Sequence, residues 1–260
     1  YYWKVIATDP SGSKTSSVMD FTVKVAPVWS YETEDDVLSV SVSDDGEYIA
    51  TGGVNYVYLF DKDSSTPLWR YDIGVRAYSV DMSSGGEYIA VGSDSDKVYL
   101  FARNSSTPLW TYDTDDNVRA VAISADGEYI VAGNYGGKVY LFDRDSSTPL
   151  WSYTLHGSNH DKVFSVSISG NGEYIVVGAD TYWNLNSIYA FERSSSTPMW
   201  SFYKSGNSIP VESIAISADG EYIIAGSSNE DYGCMLFSTT GAGSGTDGDA
   251  DYIWSYATDS

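Results

Sequence analysis

The chain has 260 residues, 42% hydrophobic and 15% aromatic, which is enough apolar material for a sizeable core and too much for a disordered chain. Its 36 acidic against 14 basic residues give a formal charge of -22, a field that repels nucleic-acid phosphates and anionic lipid, so neither nucleic acid nor membrane insertion is expected. One cysteine, Cys234, cannot form an internal disulfide, and no apolar run approaches the roughly 20 residues of a membrane helix.

The chain opens on YYWKVIATDP, which alternates as a strand inside a domain and gives the expectation that the segment belongs to something longer. Residues 1-25 read as a hairpin, and YYWKV and SSVMDFTV resemble the last two strands of a fibronectin type III domain. That resemblance implies a modular secreted or surface protein, so an extracellular or cell-surface location is expected. A hairpin alone is marginal in water, which makes self-association through residues 1-25 a further expectation.

From residue 26 to 260 one unit recurs. GEYI begins at Gly46, Gly86, Gly127, Gly172 and Gly220, and S-T-P-(L/M)-W ends at Trp69, Trp110, Trp151 and Trp200, with degenerate versions at Trp29 (APVW) and Trp254 (DYIW). Within one unit, VRAVAIS is a mostly apolar strand, Asp126-Gly127 a hairpin turn and EYIVAG a second strand; KVYLFD and PLWSY follow as the third and fourth. Four antiparallel strands repeated at this period predict an all-β chain: a β-propeller of at least five blades near 37-72, 77-113, 118-154, 162-203 and 211-257. PVWSY at 27-31 is left over, with the register of a fourth strand that latches the ring. The turn glycines Gly46, Gly127 and Gly220 are expected at positive φ, and Trp69, Trp110, Trp151 and Trp200 nearly buried between blades.

LFDRDSSTPLW, Leu141 to Trp151, resembles the tryptophan-docking motif A-x-D-x-x-T-G-x-x-x-W of pyrroloquinoline-quinone-type propellers. Asp143 and Trp151 match, whereas Leu141, Ser146 and Ser147 replace its Ala, Thr and Gly. The first two strands of the unit also resemble those of WD-repeat proteins, without their Gly-His start or Trp-Asp end. Quinone-dependent dehydrogenases with the docking motif carry, as a family, adjacent cysteines beside the cofactor. The lone Cys234 excludes that version, and no cofactor is expected.

Signatures of catalysis are missing from the sequence: there is no G-x-S-x-G, H-E-x-x-H, P-loop or paired-cysteine motif, so the chain is not expected to be an enzyme. His156 and His160, with Asp161, lie in LHGSNHD, a loop spacing that does not build a zinc trio. Asp247, Asp249 and Asp251 begin like a calcium loop, but Tyr252 and Thr258 occupy its required Gly and Glu positions. The sharper signal is where the repeat stops repeating. The loop between second and third strands is SDSD in blade two and NYGG in blade three, but ADTYWNLNS in blade four and SSNEDYG in blade five. The connections into blades four and five also lengthen, to TLHGSNHD and YKSGNSIP, on the same rim. Trp183 stands there with Tyr182, Asn184 and Asn186, beside Asn229, Glu230, Asp231 and Tyr232 and near His156 and His160. Aromatics with amides and carboxylates suit a protein or glycan partner. The expectation is therefore a non-catalytic binding or scaffold propeller of a larger secreted or cell-surface protein. The alternatives are a structural subunit of an extracellular layer or filament, and a fragment of a propeller enzyme, a lyase or hydrolase.

Overall fold

The computed structural model describes residues 27-156, 161-181, 187-202, 210-228, 233-239 and 253-256. The chain divides into two compact units, Tyr1–Ser30 and Tyr31–Ser260. Of the first, residues 27-30 are described and carry no strand.

The second unit is built from strands alone among its described residues. They are β1 Val37–Val42, β2 Tyr48–Gly53, β3 Tyr56–Asp61, β4 Trp69–Asp72; β5 Ala77–Met82, β6 Tyr88–Ser93, β7 Lys97–Ala102, β8 Trp110–Asp113; β9 Val118–Ile123, β10 Tyr129–Asn134, β11 Lys138–Asp143, β12 Trp151–Thr154; β13 Lys162–Ile168, β14 Tyr174–Asp180, β15 Ile188–Glu192, β16 Trp200–Phe202; and β17 Val211–Ile216, β18 Tyr222–Ser227, β19 Cys234–Ser238, β20 Trp254–Tyr256. Each consecutive four forms one antiparallel sheet in chain order, so the fold is all-β with five blades whose strands can be lettered a to d.

Local chemistry explains the strand joints. In the a–b turn of blade three, Asp126 accepts hydrogen bonds from Ser124 Oγ and from the Glu128 N–H, while Gly127 sits at φ 72. Only glycine enters that region without steric cost, and Gly46, Gly86, Gly172 and Gly220 repeat it at φ 68 to 77. The following Tyr-Ile pair starts strand b, with Ile89, Ile130, Ile175 and Ile223 fully buried and Ile49, in blade one, only partly so.

Blades pack face to face through the fourth-strand tryptophans. The rings of Trp69, Trp110, Trp151 and Trp200 lie 5.5, 5.3, 5.4 and 5.7 Å from Phe101, Phe142, Phe191 and Phe237 of the next blade. Each indole N–H donates across the same seam, to the carbonyls of Arg103, Arg144, Arg193 and Thr239. The expected near-complete burial holds for Trp200 alone; Trp69, Trp110 and Trp151 are half-buried. Strand d is the outermost strand of its sheet, so one side of the indole reaches solvent even as the other is covered.

The leftover strand expected at 27-31 is not a strand. A d strand needs the free edge of a c strand, and in all five sheets that edge is already taken by the blade's own d strand. Tyr31 nevertheless packs edge-on against Tyr58 and Phe60, at 5.6 and 5.3 Å. Tyr71 takes the same pose against Tyr99 and Phe101 one blade later, so Tyr31 holds a fourth-strand place without the ladder.

Candidate functional site

Antiparallel pairing fixes which loops share a rim. Val118 at the start of strand a faces Asn134 at the end of strand b, and Lys138 at the start of strand c faces Thr154 at the end of strand d. The b–c loops and the d-to-a connections therefore crowd together, and loops on a rigid frame are where binding concentrates.

At this rim every described blade breaks its ladder at the same place. The a–b register skips one residue between Val37 and Ser39, Ala77 and Ser79, Val118 and Ala120, Val163 and Ser165, and Val211 and Ser213. The skipped residues are Leu38, Tyr78, Arg119, Phe164 and Glu212. A bulge re-aims one side chain out of the two-residue alternation and is over-represented at rims and beside sites. The flanking columns are nearly constant, Val or Ala before and Ser or Ala after. The bulged column alone carries an aliphatic, two aromatics, a cation and an anion, all at least partly exposed.

Below the bulges the a strands are stapled to one another. Ser39 Oγ accepts the Val80 N–H, Ser79 Oγ accepts the Val121 N–H, and Ser165 and Ser167 do the same for Ile214 and Ile216. Asp81 joins three blades, accepting from Ser41 Oγ of blade one and the Ile123 N–H of blade three. Burial pushes its carboxyl up to about 6, against the lowering effect of the bonds from Ile123 and Met82. Blade three instead carries Ala120 and Ala122 at the stapling positions, so its seam with blade four has no such side-chain acceptors.

Around Arg119 the rim is most developed. Its guanidinium carbon lies 4.0 Å from the centre of the Tyr78 ring and 4.9 Å from that of Tyr135, in the b–c loop of blade three. Lys162 Nζ approaches the same Tyr135 ring at 4.6 Å, and Phe164 meets it edge-on at 6.3 Å. A hydrogen bond from Lys162 holds the Tyr135 hydroxyl below the usual phenol range, with the Lys162 and Arg119 charges and a bond from Arg119 adding to it. The Tyr78 hydroxyl bonds Asp94 Oδ1 at 2.9 Å. Beneath, Asn134 braces the loop, donating to the Thr114 carbonyl and accepting from the Lys138 N–H, and the Tyr140 hydroxyl lies 2.9 Å from Asp115 Oδ1.

Of the residues singled out by sequence, His156 is described: it is exposed, and the Tyr189 hydroxyl lies 3.2 Å from its Nδ1 and 3.3 Å from its Nε2. Burial keeps that hydroxyl protonated by pushing its pKa up, helped by the Tyr153 and Asp161 charges. Tyr182, Trp183, Asn184, Asn186, Asn229, Glu230, Asp231, Tyr232 and His160 lie outside the described residues, as do Asp247, Asp249 and Asp251. The side chain of Trp254 does too, although its backbone pairs with Leu236. Among the described residues no group of three His, Cys, Asp or Glu side chains could hold a metal ion.

A family of PQQ-type repeats, described as outer membrane protein assembly factor BamB, matches residues 4-169 and 120-243. The chain belongs to this family. No curated protein matches it. Membership in the BamB-like repeat family fits the five four-stranded sheets and supports a propeller with a scaffold or binding role. The match runs through residues 4-25, the stretch whose fibronectin-type resemblance lies outside the described residues. Within this fold the bulged column was the signal that strand alternation alone hid: Arg119 had been read as one residue of a mostly apolar strand.

Proposed function

We propose that this chain is a non-catalytic binding propeller of a larger secreted or cell-surface protein, and that it captures a protein or glycan at the rim of b–c loops and d-to-a connections. The observation that carries the reading is the contrast at the bulges. Five blades with the same register skip present five different side chains, Leu38, Tyr78, Arg119, Phe164 and Glu212, on one rim, while the residues on either side hardly vary. A column serving only packing has no reason to vary in charge. In the sequence, the long connections of blades four and five, which carry Trp183, His156 and His160, belong to the same set of b–c loops and d-to-a connections. The family's description as an assembly factor is consistent with a role in holding other proteins.

The test is a paired measurement on the intact chain: thermal unfolding, and retention of partners from native surface material. Trp183→Ala is expected to leave the unfolding midpoint nearly unchanged and reduce retention about tenfold or more, as for an aromatic hot spot. Asp145→Ala, on an exposed c–d turn of the opposite rim, is the control and should change neither. Lower stability with unchanged retention in Trp183→Ala would overturn the reading.

A further inference from the structure

We propose that the Arg119–Lys162 pair at the mouth is a seat for a single carboxylate, presented by an aspartate or glutamate of an extended peptide segment. The proposal rests on the binding-rim reading and names the chemistry the rim selects.

Arg119 is an anomaly in a chain with 36 acidic residues: among the described residues no carboxylate lies within ion-pair distance of it. Two other rim cations are engaged, Arg76 with Asp94 and Lys138 with Asp115. Arg119 Nε is buried and, among the described residues, has no hydrogen-bond partner, a costly state for a charged donor. Two tyrosine rings fix the guanidinium in place, so little rotamer freedom is lost when a ligand binds. A guanidinium held in this way matches a carboxylate in a two-bond fork, and Lys162 on the shared Tyr135 ring supplies a second positive charge.

The neighbours decide which carboxylate. An acidic sugar stacks on a free aromatic face, but both rings here carry cations, Tyr135 meeting Arg119, Lys162 and Phe164, and Tyr78 meeting Arg119. A peptide side chain on an aliphatic stem needs no such face. The surrounding acids limit the charge that can enter: Asp180 lies across the ladder from Lys162, with Asp161 and Glu212 nearby. One carboxylate is therefore accepted where an acidic run is repelled.

The experiment uses the intact chain, labelled with nitrogen-15, and follows the Arg119 Nε–H signal, assigned with Arg119→Lys. The probes are a capped alanine peptide with one central glutamate, the same peptide with glutamine, a peptide with four glutamates, and D-glucuronate. The single-glutamate peptide should shift the Arg119 signal saturably, and the glutamine peptide should bind at least about tenfold more weakly. Arg119→Gln and Lys162→Gln should each lose about tenfold in affinity with unchanged unfolding midpoints, while Asp145→Ala binds as wild type. Equal binding of the glutamate and glutamine peptides, no binding of either, or unchanged affinity in Arg119→Gln would overturn the seat. Glucuronate binding in preference to the peptide would overturn the choice of peptide, and tighter binding of the four-glutamate peptide the single-acid limit. If the seat fails while Trp183→Ala still releases retained partners, the rim reading stands and only the carboxylate assignment falls.

Discussion

Val121 and Val40 hold the same place in strand a of two blades, yet Val121 is 6% exposed and Val40 is 64% exposed. The difference lies entirely in the neighbour. Val121 leans on Gly92 in strand b of the preceding blade, where a Cβ would come within 3.2 Å of the valine methyl, and Val80 leans likewise on Gly52. Blade one has no complete blade before it among the described residues, so Val37, Leu38, Val40 and Val42 are open. Blade five shows the complementary face: Ile224 is 43% exposed where Val131 is fully buried, and among the described residues nothing from a following blade approaches Gly226. A blade of this protein is thus completed by its neighbours on both sides, and the serine staples, indole bonds and glycine notches are all devices of the seam between blades.

The largest expected effect sets Val121→Asp against Val40→Asp. An unpaired carboxylate in the closed seam should cost about 4 kcal/mol or more, whereas the same change on the open face should stay within about 0.5 kcal/mol, both read by chemical denaturation. Similar losses at the two sites would break the comparison.

A smaller contrast compares two turn glycines of nearly equal φ. Gly46 has open space around it, so Gly46→Ala should cost only the strain of positive φ, about 1 kcal/mol. At Gly127 an added Cβ would stand 2.6 Å from Tyr88 of the preceding blade, and Gly127→Ala should cost about 1 to 3 kcal/mol more. Equal costs would show that the turn, and not the seam, decides.

The smallest effect is a pH dependence. The Asp81 carboxyl titrates near 6 in the folded chain, whereas an unfolded aspartate titrates near about 3.9. Between those values the native state binds more protons, so this group's contribution is most favourable at the acid end and falls as pH rises towards 6. Asp81→Ser, the residue that staples the equivalent position in blades one and four, should remove that fall, about 2 kcal/mol, from stability measured between pH 4 and 7. An unchanged pH profile would remove Asp81 as a titrating staple.

The five-blade arrangement was legible because GEYI and STPLW punctuate every unit and each follows from local chemistry: a turn needing glycine, then an aromatic docking strand. What stayed hidden was whatever depends on the next blade. The half-burial of Trp69, Trp110 and Trp151 reflects the outer position of strand d, and 27-31 lacks a ladder because no c strand offers it an edge. Arg119 escaped notice because a bulge breaks the two-residue alternation by which strands are read. Stacking the five units column by column would have exposed it, as the one variable position between two near-constant ones. Trp183 and its companions depend on loops outside the described residues.

The most direct measurement of the seam account is amide hydrogen exchange in strand a of blades one and three within one sample. The N–H groups of Val121 and Ile123 are held by Ser79 and Asp81 of the preceding blade, and the corresponding groups of Val40 and Val42 have no described preceding blade to supply such acceptors. The account predicts slower exchange at Val121 and Ile123, on the order of a hundredfold or more. Equal protection of the two pairs would contradict it.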